Sequence, residues 1–470
     1  MLFEDMTLGP YEKGECKARR AFELYEDGKI SQALSEIQDA IDINPTNSSW
    51  HFNKALALDA IGKFSDAINE YEIALQLAPN DPETLNSLAV DYTRTGQYDL
   101  AIKTFEHIQE LDPTFEPCYC NRIITYTEMS QHDLAEQMFY LAQQINPDCP
   151  LCYYNIGNNL FARGRYKQAV RCWLRTAELE PTHPEINYRI AQAYWAAGDS
   201  KAGREHFLAE LRLNPGDVDV ILDFGLFLLE TGDIKSAKEK FNRILELKPD
   251  FAAALFYLGE IAFNNADYQR AEELFNQALQ KDNKLTGPRY RLAQCALIKR
   301  NTQQAKKYLV SELQTSPNAT DILVSMGSMF LTIGELDYAT HCLLRAVDLD
   351  SANADAYYCL GLVSAIKAQF QDSVEFFRHA LDIKPEHLWA LRDSALVYLA
   401  MGRLNDADQQ LKKAKTLAEK DAQIKSLNRR VRLTQLKERL KNLLQCLQPR
   451  FIRHLASHIS HFVSHLSHRN

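Results

Sequence analysis

No stretch of this 470-residue sequence approaches eighteen uninterrupted apolar residues, so no membrane-spanning helix is expected. The N-terminal segment MLFEDMTLGPYEKGE has neither a basic start nor a long apolar run, and it does not read as a secretory signal. Phosphate-binding glycine loops, dinucleotide fingerprints and nucleophile elbows are all missing. Their absence argues against an enzyme and against any cofactor. Acidic residues are plentiful, but they fall on solvated helix faces rather than in catalytic pairs. The ten cysteines, with no secretory signal ahead of them, are expected to be reduced thiols in a cytoplasmic protein. The hydrophobic fraction of 46% and the charged fraction of 24% are those of a folded globular chain.

Charge is unevenly spread. The formal net charge is -9, yet the segment from Ala422 to Asn470 carries ten Lys/Arg against the single acid Glu438. Everything before it is therefore strongly acidic, which disfavours nucleic acid as a partner of the body of the protein.

What is present is a repeat. Prolines 45, 79, 113, 147, 181, 215, 249, 317 and 385 are spaced by 34 residues or multiples of 34. Asn283 and Ser351 hold the register where proline is absent. Each proline follows an amphipathic run such as HIQELDP or RILELKP, and proline ends a helix because it lacks an N–H donor and restricts the residue before it. Glycines 28, 62, 96, 164, 198, 232, 334 and 402 sit between two such runs, where a tight turn needs positive φ. Each repeat is thus predicted as helix, turn, helix, proline turn.

Counting from Gly14, repeat position eight is Gly or Ala in eleven of twelve repeats, and position twenty is Ala in ten. Large residues such as Phe105, Trp173, Phe241 and Phe377 stand opposite, so small and large side chains interlock between the paired helices. Repeats 184–217 and 286–319 break this pattern with Glu210 and Glu312 where Ala is usual, and they are expected to be helical but loosely packed. Glu419 replaces proline in the last repeat, so its second helix is expected to run on.

Residues 150–183, with YYNIGNNLFARGRYKQAVRCWLRTAELEP from Tyr153 onward, show the consensus at its fullest. The pattern resembles the tetratricopeptide-repeat (TPR) family over about Gly14 to Asp421, twelve in-frame repeats. That resemblance implies an all-α, right-handed superhelical solenoid of antiparallel helix pairs, whose first helices line a concave groove that binds other proteins. The expected division is a lead at 1–13, the array at 14–421, a basic amphipathic capping helix at 422–448 and a His/Ser-rich amphipathic tail at 449–470.

The candidate groove residues follow from the first helices. Tyr154, Tyr188, Leu222 and Phe256 share position five, and Phe161 and Trp195 share position twelve. Asn121, Asn155 and Arg189 fall at position six, with Asn158 at position nine, and all four are counted among the groove candidates. Aromatics give contact area at low entropy cost, and asparagine amides can both donate to and accept from an extended peptide. Packing against the next repeat competes with ligand contact for every one of them. The asparagines partly resemble the ladder lining the superhelix of O-GlcNAc transferases, but Arg189, Asp223 and Tyr257 interrupt the series, and no glycosyltransferase domain follows. Nor is there Lys at position five with Asn at position nine, the carboxylate clamp of chaperone-binding members, so chaperone C-termini are not expected partners.

Three further features compete with bland readings. Cys118, Cys120, Cys149 and Cys152 form a CxC…CxxC set whose thiolates could hold zinc, although ordinary reduced cysteines are the better reading and no metal is assigned. Leu433, Leu436, Leu440, Leu443 and Leu447 form a stripe in a basic helix that either caps the last repeat or pairs with another helix. His454, His458, His461, His465 and His468 lie opposite an apolar face in the tail, open to metal, to a membrane surface or partner near pH 6, or to fraying. Two functions are carried forward: a non-catalytic scaffold holding a partner peptide or domain in the groove, and a regulatory or targeting subunit of an enzyme or secretion complex docking through the basic tail.

Overall fold

The computed structural model describes residues 10–315, 318–418 and 421–446. The histidine-bearing segment 449–470 lies outside the described residues, as does the lead up to residue 9. Among the described residues there are 25 helices and no strand. Twelve antiparallel pairs, from Pro10–Glu26 with Ile30–Ile43 to Leu388–Ala400 with Leu404–Leu417, are followed by Ala422–Cys446.

The chain divides into two compact bodies, Met1–Arg243 and Ile244–Asn470. Within each, packing runs between helices one or two apart along the chain, as expected when every repeat buries its face only against its neighbours. In the first body Tyr71 and Phe105 belong to one core cluster, and Ile123, Phe139 and Trp173 to another. In the second, Leu309, Met326, Phe330 and Leu343 form one cluster, and Leu391, Leu411, Ile424 and Val431 another.

The repeat grammar accounts for the element boundaries. Second helices end two residues before the proline position, at Ile43, Leu77, Leu111 and Ile145. The rule holds at Lys281 and Leu349, where the later residue is not proline. The last pair departs from expectation: its second helix stops at Leu417 instead of running on. Asp421 supplies the reason, since its carboxylate accepts from Gln423 N at 2.8 Å and Ile424 N at 3.0 Å and so starts a new helix.

Every turn between paired helices needs a left-handed residue. The eight predicted glycines have φ between +70° and +93°. In the remaining repeats the same position is Ser130, Ala266, Arg300 or Ala368, at φ from +57° to +60°. Interlocking is equally regular. A Cβ at Gly225 would fall 2.6 Å from Phe241, and one at Gly361 2.5 Å from Phe377, so in these repeats the two helices close up until an aromatic ring fills the space a side chain would take.

The two irregular repeats are not loose. Glu210 and Glu312 are fully buried. In both repeats the first helix starts late and is 11 residues long, Ile186–Ala196 and Pro288–Ile298, where neighbouring first helices have 13 or 14. The carboxylates reach the helix starts that this shortening exposes: Glu210 accepts from Tyr188 N at 3.3 Å, and Glu312 accepts from Gly287 N.

Candidate functional site

The predicted groove residues of the first body lie on four successive first helices: Glu116–Glu128, Pro150–Ala162, Ile186–Ala196 and Val218–Glu230. Leu222 is half-buried on the last of these. Phe256 belongs to the second body, where it packs on Phe275 with ring centroids 5.8 Å apart.

Most of the predicted polar contacts turn out to be spoken for. Asn121 Nδ2 donates to Asn86 Oδ1 at 3.0 Å. Asn155 is buried and donates to the Cys120 carbonyl, also at 3.0 Å. Tyr188 OH donates to Asp223 Oδ2 at 2.7 Å, and Trp195 Nε1 to Glu230 Oε2 at 2.6 Å. Each bond spans 35 residues, from a first helix to the position one further along in the next. In the second body Tyr358 and Asp393 repeat the relation at 2.9 Å. The residue that interrupts the asparagine series, Asp223, therefore takes the same place as the asparagines and performs the same task. Burial and the Asp223 carboxylate push the Tyr188 phenol up, keeping it a neutral donor.

The aromatics are divided between core and surface. Phe161 packs on Trp173 at 5.7 Å and on Tyr166 at 5.3 Å. Trp195 meets Phe227 edge-on at 5.9 Å. Tyr154 stays half-buried against the His183 ring, 4.5 Å away.

Two predicted residues keep unused hydrogen-bonding capacity. Arg189 Nε is buried with no partner, and its guanidinium only approaches Glu185, at 4.0 Å. Asn158, half-buried, sits at position nine of its repeat, and Arg189 at position six of the next. The same 31-residue step that joins Gln192 to Asp223 and Glu260 to Arg291 also separates Asn158 from Arg189. The 35-residue ties that set these ten residues apart depend on how adjacent helices align, which the sequence does not show.

A second cluster lies beside this surface. Cys120, Cys149 and Cys152 are 0%, 6% and 1% exposed, and their sulfurs and a Glu116 carboxylate oxygen all lie within 4.8 Å of one another. Cys120 and Cys152 are joined as a disulfide, where the sequence led us to expect reduced thiols. Cys118, the fourth cysteine of the predicted set, points instead at the Phe105 carbonyl, 3.3 Å away. Burial pushes its thiol up to about 12, so it stays protonated. Glu116 takes the place of Cys118 in the cluster. Sequence spacing could have found it, since residues four apart share a helix face, but a search confined to cysteine passes over it.

Three family models match the sequence. One described as tetratricopeptide repeat covers residues 154–218 and 222–285, and another of the same description covers 367–431. The third, "Psidin, N-terminal TPR repeats region", covers residues 15–160. Together they span well over half the chain. No curated protein matches the sequence. Among solved structures, the APC/C hetero-tetramer Cut9–Hcn1 aligns at 14% identity over 89% of this chain and 96% of that one, with a TM-score of 0.43. Yeast Tom70 aligns at 12% identity over 91% and 96%, with a TM-score of 0.40. MamA aligns at 25% identity over 34% and 95%, with a TM-score of 0.32.

Proposed function

We propose that this chain, which belongs to the tetratricopeptide-repeat family, is a non-catalytic scaffold that holds an extended segment of a partner protein along its first helices. Members of this family are generally protein-interaction scaffolds, and the chain has the repeat unit in all its parts. The observation that carries the finer reading is the contrast among the candidate side chains. Asn121, Asn155, Tyr188 and Trp195 bind neighbouring repeats, whereas Arg189 Nε has no partner and Asn158 stands 31 residues before it, the step that joins Gln192 to Asp223. An amide beside a guanidinium suits a peptide carbonyl flanked by a carboxylate, with Tyr154 offering its ring to an adjacent side chain.

A second reading has one observation in its favour. Leu433 and Leu436 are 51% and 45% exposed in the basic helix Ala422–Cys446, a surface open to docking by another subunit. One experiment separates the two. Partner recovery from native extract is quantified for wild type, Asn158→Ala/Arg189→Ala and Leu433→Asp/Leu436→Asp. The groove reading expects the first variant to lose about tenfold in recovery and the second to keep its partners. Full recovery with Asn158→Ala/Arg189→Ala removes the groove from the account.

A further inference from the structure

We propose that Glu116, Cys120, Cys149 and Cys152 form a structural zinc site that fastens the fourth repeat to the fifth. The four residues come from two adjacent first helices. Glu116 and Cys120 are one turn apart in Glu116–Glu128, while Cys149 caps Pro150–Ala162 and Cys152 lies in its first turn. Three sulfurs and one carboxylate oxygen give the four donors of a closed tetrahedral site. Soft thiolates favour zinc over magnesium and calcium.

The geometry fits. A zinc–sulfur bond of about 2.3 Å places tetrahedral ligands about 3.8 Å apart. Cys120 Sγ and Cys149 Sγ are 3.6 Å apart, and no pair among the four donors exceeds 4.8 Å. Glu116 Oε1 lies 2.7 Å from Cys120 Sγ and 3.0 Å from Cys152 Sγ. A disulfide leaves those sulfurs no proton to donate, so a carboxylate oxygen this close calls for a shared proton or cation between them. Cys149 Sγ accepts from Cys152 N at 3.2 Å at the positive end of a 13-residue helix. Asn155 fixes the Cys120 backbone through its carbonyl, the kind of supporting bond that orients a ligand.

The disulfide and the metal are exclusive states of the same cluster. A reductant must first deliver two electrons and two protons to the Cys120–Cys152 pair. Zn2+ then binds three thiolates and the Glu116 carboxylate and releases three thiol protons to solvent. The bound state has the same net charge as a four-cysteine site, because one carboxylate replaces one thiolate.

The test uses the full chain purified in a phosphine reductant, loaded with Zn2+, dialysed and analysed for metal. The expected result is one zinc per chain. Co2+ in its place gives the sulfur-to-cobalt charge-transfer band of thiolate ligation. Cys149→Ser and Cys152→Ser lose stoichiometric metal, and Glu116→Gln weakens zinc affinity by at least about tenfold. Cys118→Ser keeps both metal and band, because that side chain faces the Phe105 carbonyl. Circular dichroism confirms that each variant is folded, and the wild-type cobalt spectrum decides the matter without any variant. The proposal is overturned if the reduced wild type retains no metal, if Cys118→Ser loses it as Cys149→Ser does, or if alkylation shows Cys120 and Cys152 still disulfide-bonded in phosphine.

Discussion

The residue between the paired helices has one task, to take left-handed φ, and eight repeats give it to glycine. Ser130, Ala266, Arg300 and Ala368 do it with a side chain, at a cost of about 1–2 kcal/mol each in local backbone strain. Replacing such a residue with glycine relieves the strain but adds freedom to the unfolded chain, which offsets part of the gain. Ala266→Gly and Ala368→Gly are each expected to stabilise by roughly 0.5–1 kcal/mol, read as a higher urea midpoint at unchanged slope. The converse change Gly232→Ala, at φ +82°, is expected to lower the midpoint. These positions were legible in the sequence, because a 34-residue period fixes the turn even where glycine is missing. The small-to-large pairs were legible for the same reason. What Asn155 and Tyr188 touch was not, because a bond across 35 residues depends on how far one helix slides along the next.

At the scale of a helix, Glu312 shows how a repeat tolerates an apparent fault. Apart from repeat 184–217 with its Glu210, the other repeats place a small or apolar residue there, Ala278 and Ala346 for example, and begin the first helix earlier. Here the carboxylate accepts from Gly287 N, while its second oxygen is buried without a partner. Burial pushes its pKa up, partly opposed by the Gly287 hydrogen bond and the nearby Arg289. The folded protein therefore holds this proton more tightly than the unfolded chain does. Its stabilising contribution is complete below the ordinary glutamate range and falls away as pH rises through the raised value. Glu312→Gln keeps an acceptor without a charge, so its stability is expected to lack this decline as pH rises above the ordinary glutamate range. Glu312→Ala strands the helix start and is expected to cost about 1–3 kcal/mol. Thermal melts of the three proteins across that pH range check both outcomes, and a decline in the glutamine variant equal to wild type would assign the pH dependence elsewhere. Sequence reading saw the glutamates as packing faults because it could not see the shortened helices that they complete.

For the whole molecule, the question is how a stack of repeats ends. Each repeat buries its face against the next, so the last must be covered by something else. In the second body that cover is the start of Ala422–Cys446: Ile424, Leu427 and Val431 pack onto Leu391, Ala407 and Leu411. The sequence pointed to the leucine series beginning at Leu433 for this role, yet Leu433 and Leu436 are exposed, and the covering residues Ile424, Leu427 and Val431 all precede it in the helix. The period of a helix predicts a face but not which stretch of it meets the neighbour. A chain ending at Asp421 would expose the apolar faces of the last pair and lose the burial of three large side chains. At about 1.5–3 kcal/mol per buried side chain, the loss is on the order of 5 kcal/mol in the second body. Val431→Asp reproduces the effect with the helix still present, since it sets an unpaired charge among fully buried groups. Leu433→Asp, two residues further on and exposed, is expected to shift stability by less than about 0.5 kcal/mol. Hydrogen exchange separates these outcomes: protection in Leu388–Ala400 and Leu404–Leu417 collapses in the truncation and in Val431→Asp and survives in Leu433→Asp. Equal protection in all three would mean that the last pair stands without its cover and that the helix serves only as a docking element.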